Sequence, residues 1–130
     1  MLIITLRTDK PEAELGLYQD DKQVACSTWE AHRKLAETIH VKIRQLLENE
    51  DVDLHSLAGI VIYKGPGSFT GLRIGFSVAN ALSSSLAIPI VSASDPRWIE
   101  QGITSLMEGN NEIISMPEYG AEPRTTQAKK

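Results

Sequence analysis

The 130-residue sequence has a single cysteine, Cys26. Neither an internal disulfide nor a cysteine-built zinc cluster is therefore open to it. It also lacks any run near the eighteen or so continuous apolar residues of a membrane helix, because Arg7, Asp9 and Lys10 end the first candidate at once. That stretch has neither the basic start nor the length of a secretory signal, so no membrane association and a cytoplasmic location are expected. The histidines His32, His40 and His55 do not fall at metal-ligand spacing, and no metal or cofactor is expected. An excess of positive charge is missing as well: the net charge is −4. This argues against a free-standing nucleic-acid binder, and any nucleic-acid contact is expected to come through a partner. What is there is ordinary globular composition, 42% apolar and 23% charged, with the length of one domain.

The first thirty residues alternate short β-prone runs with turn chemistry. Leu2 to Leu6 is broken by Asp9-Lys10-Pro11, Ala13, Leu15 and Leu17 alternate with polar or small neighbours, and Val24 to Trp29 forms a third run. Three such runs with tight connections predict an antiparallel meander. The period then changes. Between His32 and Glu48 the apolar residues Leu35, Ala36, Ile39, Ile43, Leu46 and Leu47 occupy an arc of roughly 120°, which predicts a helix lying on one side of a sheet. Ala58-Gly59-Ile60-Val61-Ile62-Tyr63 is a continuous apolar run bounded by glycine, as in a buried parallel strand. A glycine-rich loop leads into a helix ending near Leu86; Ile88 to Val91 is a further strand, and Asp95-Pro96 opens a helix carrying Trp98, Ile99, Ile103, Leu106 and Met107, stopped by Gly109. Three meander strands followed by α-β-α-β-α predict one α/β domain over 1–109 with a five-stranded mixed sheet, three strands antiparallel and two parallel. Residues 110–130 read as a polar tail, and 117–130 as mobile unless a partner holds them.

Four of the nine glycines lie between Gly65 and Gly75. A strand, glycine loop and helix in succession suggest phosphate binding at a helix N-terminus. The motif misses the specific tests, however: Gly71 is followed by Leu72-Arg73 rather than Lys-Ser/Thr, and Gly65, Gly67 and Gly71 are one residue off the dinucleotide fingerprint. On the helix that follows, Arg73, Ser77, Asn80 and Ser84 form a narrow polar sector, while the remainder spans roughly 220°. Gly71, Gly75, Ala79 and Ser83 make a ridge of small residues that lets another element approach closely. Such a helix packs on two things: its own sheet and either the neighbouring helix of the domain or a partner chain.

Residues Tyr63 to Gly75, with Gly65, Pro66, Gly67, Ser68, Phe69, Thr70, Gly71, Leu72 and Arg73 at their centre, closely resemble the G-P-G-S-F-T-G-L-R-I-G signature of the TsaB (YeaZ) family. That family belongs to the machinery that makes threonylcarbamoyladenosine in tRNA. Ala31 to Leu35 resembles the family's first helix, Pro89 to Ser94 its strand and turn after the signature helix, and Pro117-Glu118-Tyr119 a Pro-x-Tyr near its C-terminus. The resemblance implies a ribonuclease-H-like fold of the ASKHA (actin-like ATPase) type. It also implies a non-catalytic subunit that pairs with the threonylcarbamoyl transferase TsaD through its first two helices, with the ATPase TsaE joining the assembly. Carried onto this chain, that interface would use Leu35, Ile39, Gly71, Leu72, Gly75, Phe76, Ala79 and Ser83. Family proteins are nearly twice this length, so a function residing in their second half is not implied. The family's first strand usually ends in Asp-Thr-Ser, a remnant of the fold's metal–phosphate motif. Here Arg7-Thr8-Asp9 stands there, and since arginine cannot ligate Mg²⁺ the change points away from ATP hydrolysis.

Single residues support little chemistry. His32, on the first helix's apolar stripe, reads as a packed structural histidine, and His40 and His55 as solvent-facing or capping. Ser68 and Thr70 lack an evident base, so capping the signature helix is their expected role. Arg73 is expected on the polar sector, and Cys26 as a buried small apolar residue. Two other functions compete with the platform reading: a nucleotide-binding enzyme using Gly65–Gly71, and a homodimer that turns the same helices on a second copy.

Overall fold

The computed structural model describes residues 1–94, 96–113 and 116, with the side chain of His32 outside the description. Asp95 and residues 117–130, on which a helix start, the Pro-x-Tyr match and the mobile tail were expected, lie outside the described residues. The chain runs β1 (Leu2–Arg7), β2 (Glu12–Gln19), β3 (Lys22–Glu30), α1 (Leu35–Asn49), β4 (Gly59–Tyr63), α2 (Phe69–Leu86), β5 (Ile90–Ala93) and α3 (Trp98–Met107), with short 3-10 turns at His32–Lys34 and Leu54–Ser56.

The five strands order as β3-β2-β1-β4-β5. β1 pairs antiparallel with β2, Ile4 opposite Leu17, and β2 antiparallel with β3. The parallel half follows from the connections: after two hairpins β3 runs the same way as β1, α1 carries the chain from β3 back to β4 beside β1, and α2 carries it from β4 to β5, so β1, β4 and β5 run in the same direction. Period-two alternation gives the sheet two apolar faces. Ile4, Leu6, Leu15, Leu17, Ile60, Ile62 and Ile90 point to α1 and α2, in one core with Ile39, Ile43, Leu72 and Phe76. Ile3, Val61, Val91 and Ala93 point the other way, to Trp98, Ile103 and Leu106 of α3. A side chain such as Ile39, with no accessible surface, contributes about 1.5–3 kcal/mol by leaving water. Gly102 brings α3 close to β4, since a Cβ there would lie 2.2 Å from Cγ1 of Val61.

Two helices cover one face and a single helix the other, which corrects two expectations. Cys26 is exposed rather than buried: with Val24 and Thr28 it faces the side that α3 leaves uncovered at β3, while Ala25 and Trp29 turn towards α1. Helix α3 begins at Trp98, two residues after Pro96, and its Met107 is exposed.

The start of the expected polar tail has a structural task. The Ile90 N–H donates to Oδ1 of Asn111 at 3.0 Å, and the Glu112 N–H to the carbonyl of Ile90 at 2.8 Å. The Glu112 carboxylate accepts from the N–H and hydroxyl of Ser92 at 2.8 and 2.9 Å. These contacts occupy hydrogen-bonding groups on the open edge of β5 that would otherwise offer a pairing template. No helix among the described residues is long and apolar enough to cross a membrane.

Candidate functional site

The signature segment lies where β1 and β4 end side by side. Beyond Tyr63 the chain turns through Gly65, whose φ of 99° suits glycine, and a cis Gly65–Pro66 bond. Gly67 then passes so close to β1's continuation that a Cβ would sit 2.4 Å from Cβ of Asp9. The Ser68 N–H donates to the Asp9 carbonyl at 2.8 Å. Ser68 is the N-cap of α2: its hydroxyl oxygen accepts from the Gly71 N–H at 3.3 Å, as a capping serine should. Its hydroxyl thus serves the helix, and Thr70 is exposed on the first turn. Phe69 is 54% exposed, and the Arg73 guanidinium lies 5.5 Å from its ring centre on the polar side of α2.

The small-residue ridge is turned inward. A Cβ on Gly71 would lie 2.1 Å from the carbonyl oxygen of Thr8, and one on Gly75 2.1 Å from Oγ1 of Thr8. Ala79 and Ser83 are buried, and the Ser83 hydroxyl donates to the Ile88 carbonyl at 2.6 Å. Leu35, Ile39, Leu72 and Phe76 belong to the same core. The residues assigned by resemblance to a partner interface are thus not an exposed face of this chain. The apolar arc of α2 is wide because β1 and α1 fill it. What remains outside is the next row: a groove of ≈ 350 Å³ between the helices, lined by Ala36 and His40 of α1 and Thr70, Arg73, Ile74, Ser77 and Val78 of α2. A second groove of ≈ 440 Å³ continues from His40 through Ile43, Arg44 and Leu47 to Leu54 and Leu82. His40 and His55 are exposed, as expected.

The end of β1 holds an arrangement that residue-by-residue reading missed. Nε and Nη2 of Arg7 donate to the two carboxylate oxygens of Asp9 at 2.8 and 3.3 Å. The guanidinium also lies 4.0 Å from the centre of the Tyr63 ring, and Trp98 meets that ring edge-on at 5.6 Å. Burial works against the Arg7 charge, but the hydrogen bond and charge of Asp9 outweigh it and hold the guanidinium above its ordinary value. No signal within a short window could have found it: only the register, with Leu6 paired in parallel with Ile62, makes the next residues along, Arg7 and Tyr63, neighbours on one face.

This arrangement also tests whether the chain suits the metal–phosphate group that the fold class implies. It does not. Asp9, the one carboxylate of the Arg7-Thr8-Asp9 segment, is engaged through both oxygens by Arg7. Among the described residues no group of three or more His, Cys, Asp or Glu side chains is placed to hold a metal ion.

Sheet order, helix placement and the strand–loop–helix at β4 together define a ribonuclease-H-like α/β domain of the ASKHA type. Residues 29–101, more than half of the chain, match the family model described as TsaD: tRNA N6-adenosine threonylcarbamoyltransferase. The chain therefore belongs to the TsaB/TsaD family. Among its relatives, the tRNA threonylcarbamoyladenosine biosynthesis protein TsaB of Bacillus subtilis is 32% identical over 94 residues, covering 72% of this chain and 41% of that protein. A tRNA N6-adenosine threonylcarbamoyltransferase of Geotalea daltonii is 36% identical over 77 residues, covering 59% of this chain and 22% of the relative. The solved structure of YeaZ from Pseudomonas aeruginosa superposes with a TM-score of 0.68 at 26% identity, covering 78% of this chain and 50% of that one. The chain thus spans less than half the length of these two curated relatives.

Proposed function

We propose that this chain supports the formation of threonylcarbamoyladenosine in tRNA as a non-catalytic subunit. In this reading 1–109 is the TsaB-like ASKHA-type domain and 110–130 its tail. A TsaD-like transferase docks along the outer α1–α2 groove, a TsaE-like ATPase joins the assembly, and tRNA is reached through the transferase in the cytoplasm. The carrying observation is the groove itself, where half-buried Ile74 and Leu82 lie beside exposed Ala36, His40, Arg44, Arg73 and Ser77. An apolar floor with a charged and polar rim is what a protein partner uses. The names of the relatives support the tRNA-modification setting. The non-catalytic role is supported by Ser68, whose hydroxyl caps α2, and by Asp9, whose carboxylate faces a guanidinium instead of a reactant.

Light scattering of the chain alone and mixed with the TsaD-like transferase of the same organism tests the reading. The expected result is a heterocomplex that an Arg73→Glu, Ser77→Arg variant, changed only at exposed positions of the rim, no longer forms while its melting temperature stays near the parent's. A mixture that behaves as two separate species, or a complex indifferent to both substitutions, rejects the groove. A second reading puts another copy of this chain in the groove. It rests on the same groove, because one apolar floor serves a second copy of the chain as well as a transferase. It requires a concentration-dependent dimer that the transferase does not dissociate.

A further inference from the structure

The side chains at the end of β1 form a ladder with a cation in the middle. Trp98, buried under the far face of the sheet, sets the Tyr63 ring edge-on at 5.6 Å. Tyr63 presents its face to the Arg7 guanidinium at 4.0 Å. Arg7 reaches both oxygens of Asp9, whose side chain is only 9% exposed. The main chain of Asp9 in turn takes the Ser68 N–H at 2.8 Å, and Gly67 is seated against its Cβ. A carboxylate with so little water around it needs a compensating positive charge. A planar fork supplies one together with two directed hydrogen bonds and a stacking face.

We infer that Arg7 is a resident cation. Its guanidinium fills, from within the chain, the place at the end of β1 where a bound cation would neutralise Asp9. It thereby holds the signature loop seated on β1 with no ligand present. Two consequences follow: the loop is preorganised in the free protein, and removing the guanidinium side chain opens a site for a small planar cation beside Asp9. The inference concerns only this chain's own residues and stands whether or not the α1–α2 groove takes a partner.

The test uses the full chain with Arg7→Ala, Arg7→Lys, Asp9→Asn and Arg7→Ala, Asp9→Asn. Two quantities are read: hydrogen-exchange protection of the Ser68 amide, and melting temperature in 20 mM guanidinium chloride against sodium chloride of equal ionic strength. In Arg7→Ala the Ser68 amide is expected to lose at least tenfold in protection. Guanidinium ion is expected to raise that variant's melting temperature while raising neither the parent's nor the double variant's. Arg7→Lys keeps the charge without the fork or the stacking plane, and is expected to lose several-fold. Should Arg7→Ala fail to fold, Arg7→Lys and Asp9→Asn carry the exchange measurement.

Full Ser68 protection in these variants would overturn the inference, because the loop would then be seated on β1 without the guanidinium. So would rescue by guanidinium that persists in the double variant, since it would act elsewhere. A rise in the parent's melting temperature with Mg²⁺ and ATP that Asp9→Asn abolishes would overturn it too, by showing the place open to an external cation.

Discussion

Gly75→Ala measures how closely α2 lies on β1. A methyl group at 75 would fall 2.1 Å from Oγ1 of Thr8 and 3.1 Å from both its Cβ and Cγ2. Rotating Thr8 about χ1 can turn Hβ into the place of Oγ1, but Cβ stays 3.1 Å from the new methyl and a β-branched side chain has few rotamers to choose from. Helix and strand must move apart. Overpacking costs typically 1–3 kcal/mol, and contact with three atoms of a buried residue puts this site near the top of that range. Replacing glycine by alanine in a helix returns about 1 kcal/mol. The net expectation is a loss of about 2 kcal/mol, or about 8 °C in melting temperature for a domain of this size.

Thr8→Ala supplies the second half of a cycle. It removes Oγ1, a buried hydroxyl oxygen with no hydrogen-bond partner among the described residues, together with one methyl group, so its own effect is expected to be small. In the double variant the new methyl occupies the vacated volume. Most of the loss should return, as a coupling of about 1–2 kcal/mol. Thermal and urea unfolding of the four proteins provide the assay. A Gly75→Ala protein as stable as the parent, or more so, would refute the reasoning: helix propensity would then be the whole effect and α2 would not be seated on β1 through its glycines.

Other positions offer independent checks. Ala87 closes α2 with φ 55° and ψ 47°, a left-handed conformation that L-alanine enters at a cost. Ala87→Gly is therefore expected to stabilise the protein by about 0.5–1 kcal/mol despite its more flexible unfolded chain, and a loss of that size in urea unfolding would contradict the capping geometry. Asp20 is held below its ordinary value first by the hydrogen bond from the N-terminal amine, and Asp53 first by the backbone N–H of His55. With both carboxyls depressed in the folded state, their stabilisation is present above the unfolded value and lost as pH falls through the folded ones. Carboxyl NMR titration should place both midpoints on the acid side of ordinary aspartate, and an unshifted Asp20 would mean that the terminal amine is not docked on it.

Much of the scaffold was legible because its signals are local. Alternation at Ala13, Leu15 and Leu17 put all three in the core, and Ser68 caps α2 as its position before the helix suggested. The site was legible in identity but not in direction. A helical projection gives the angular width of an apolar arc, not which neighbour fills it, so Gly75, Ala79 and Ser83 could be read as facing a partner until Gly75 was found against Thr8 and all three were found buried in the domain. Cys26 failed for a related reason. Alternation assigns it to a face of β3, and only the placement of α3 over the other half of the sheet leaves that face in water.

Sequence by itself therefore determined the order and type of elements, the signature loop and the family to which the chain belongs, because turn chemistry, periodicity and a dense motif are encoded within short windows. Tertiary structure alone decided which surfaces were consumed in folding. The parallel register of β1 and β4 brought Arg7 beside Tyr63, the end of β1 brought Asp9 under Ser68, and α1 beside α2 left an outer groove around His40. Those relations join residues far apart in the chain, and their energies depend on distance and on exclusion of water, which only the folded arrangement sets.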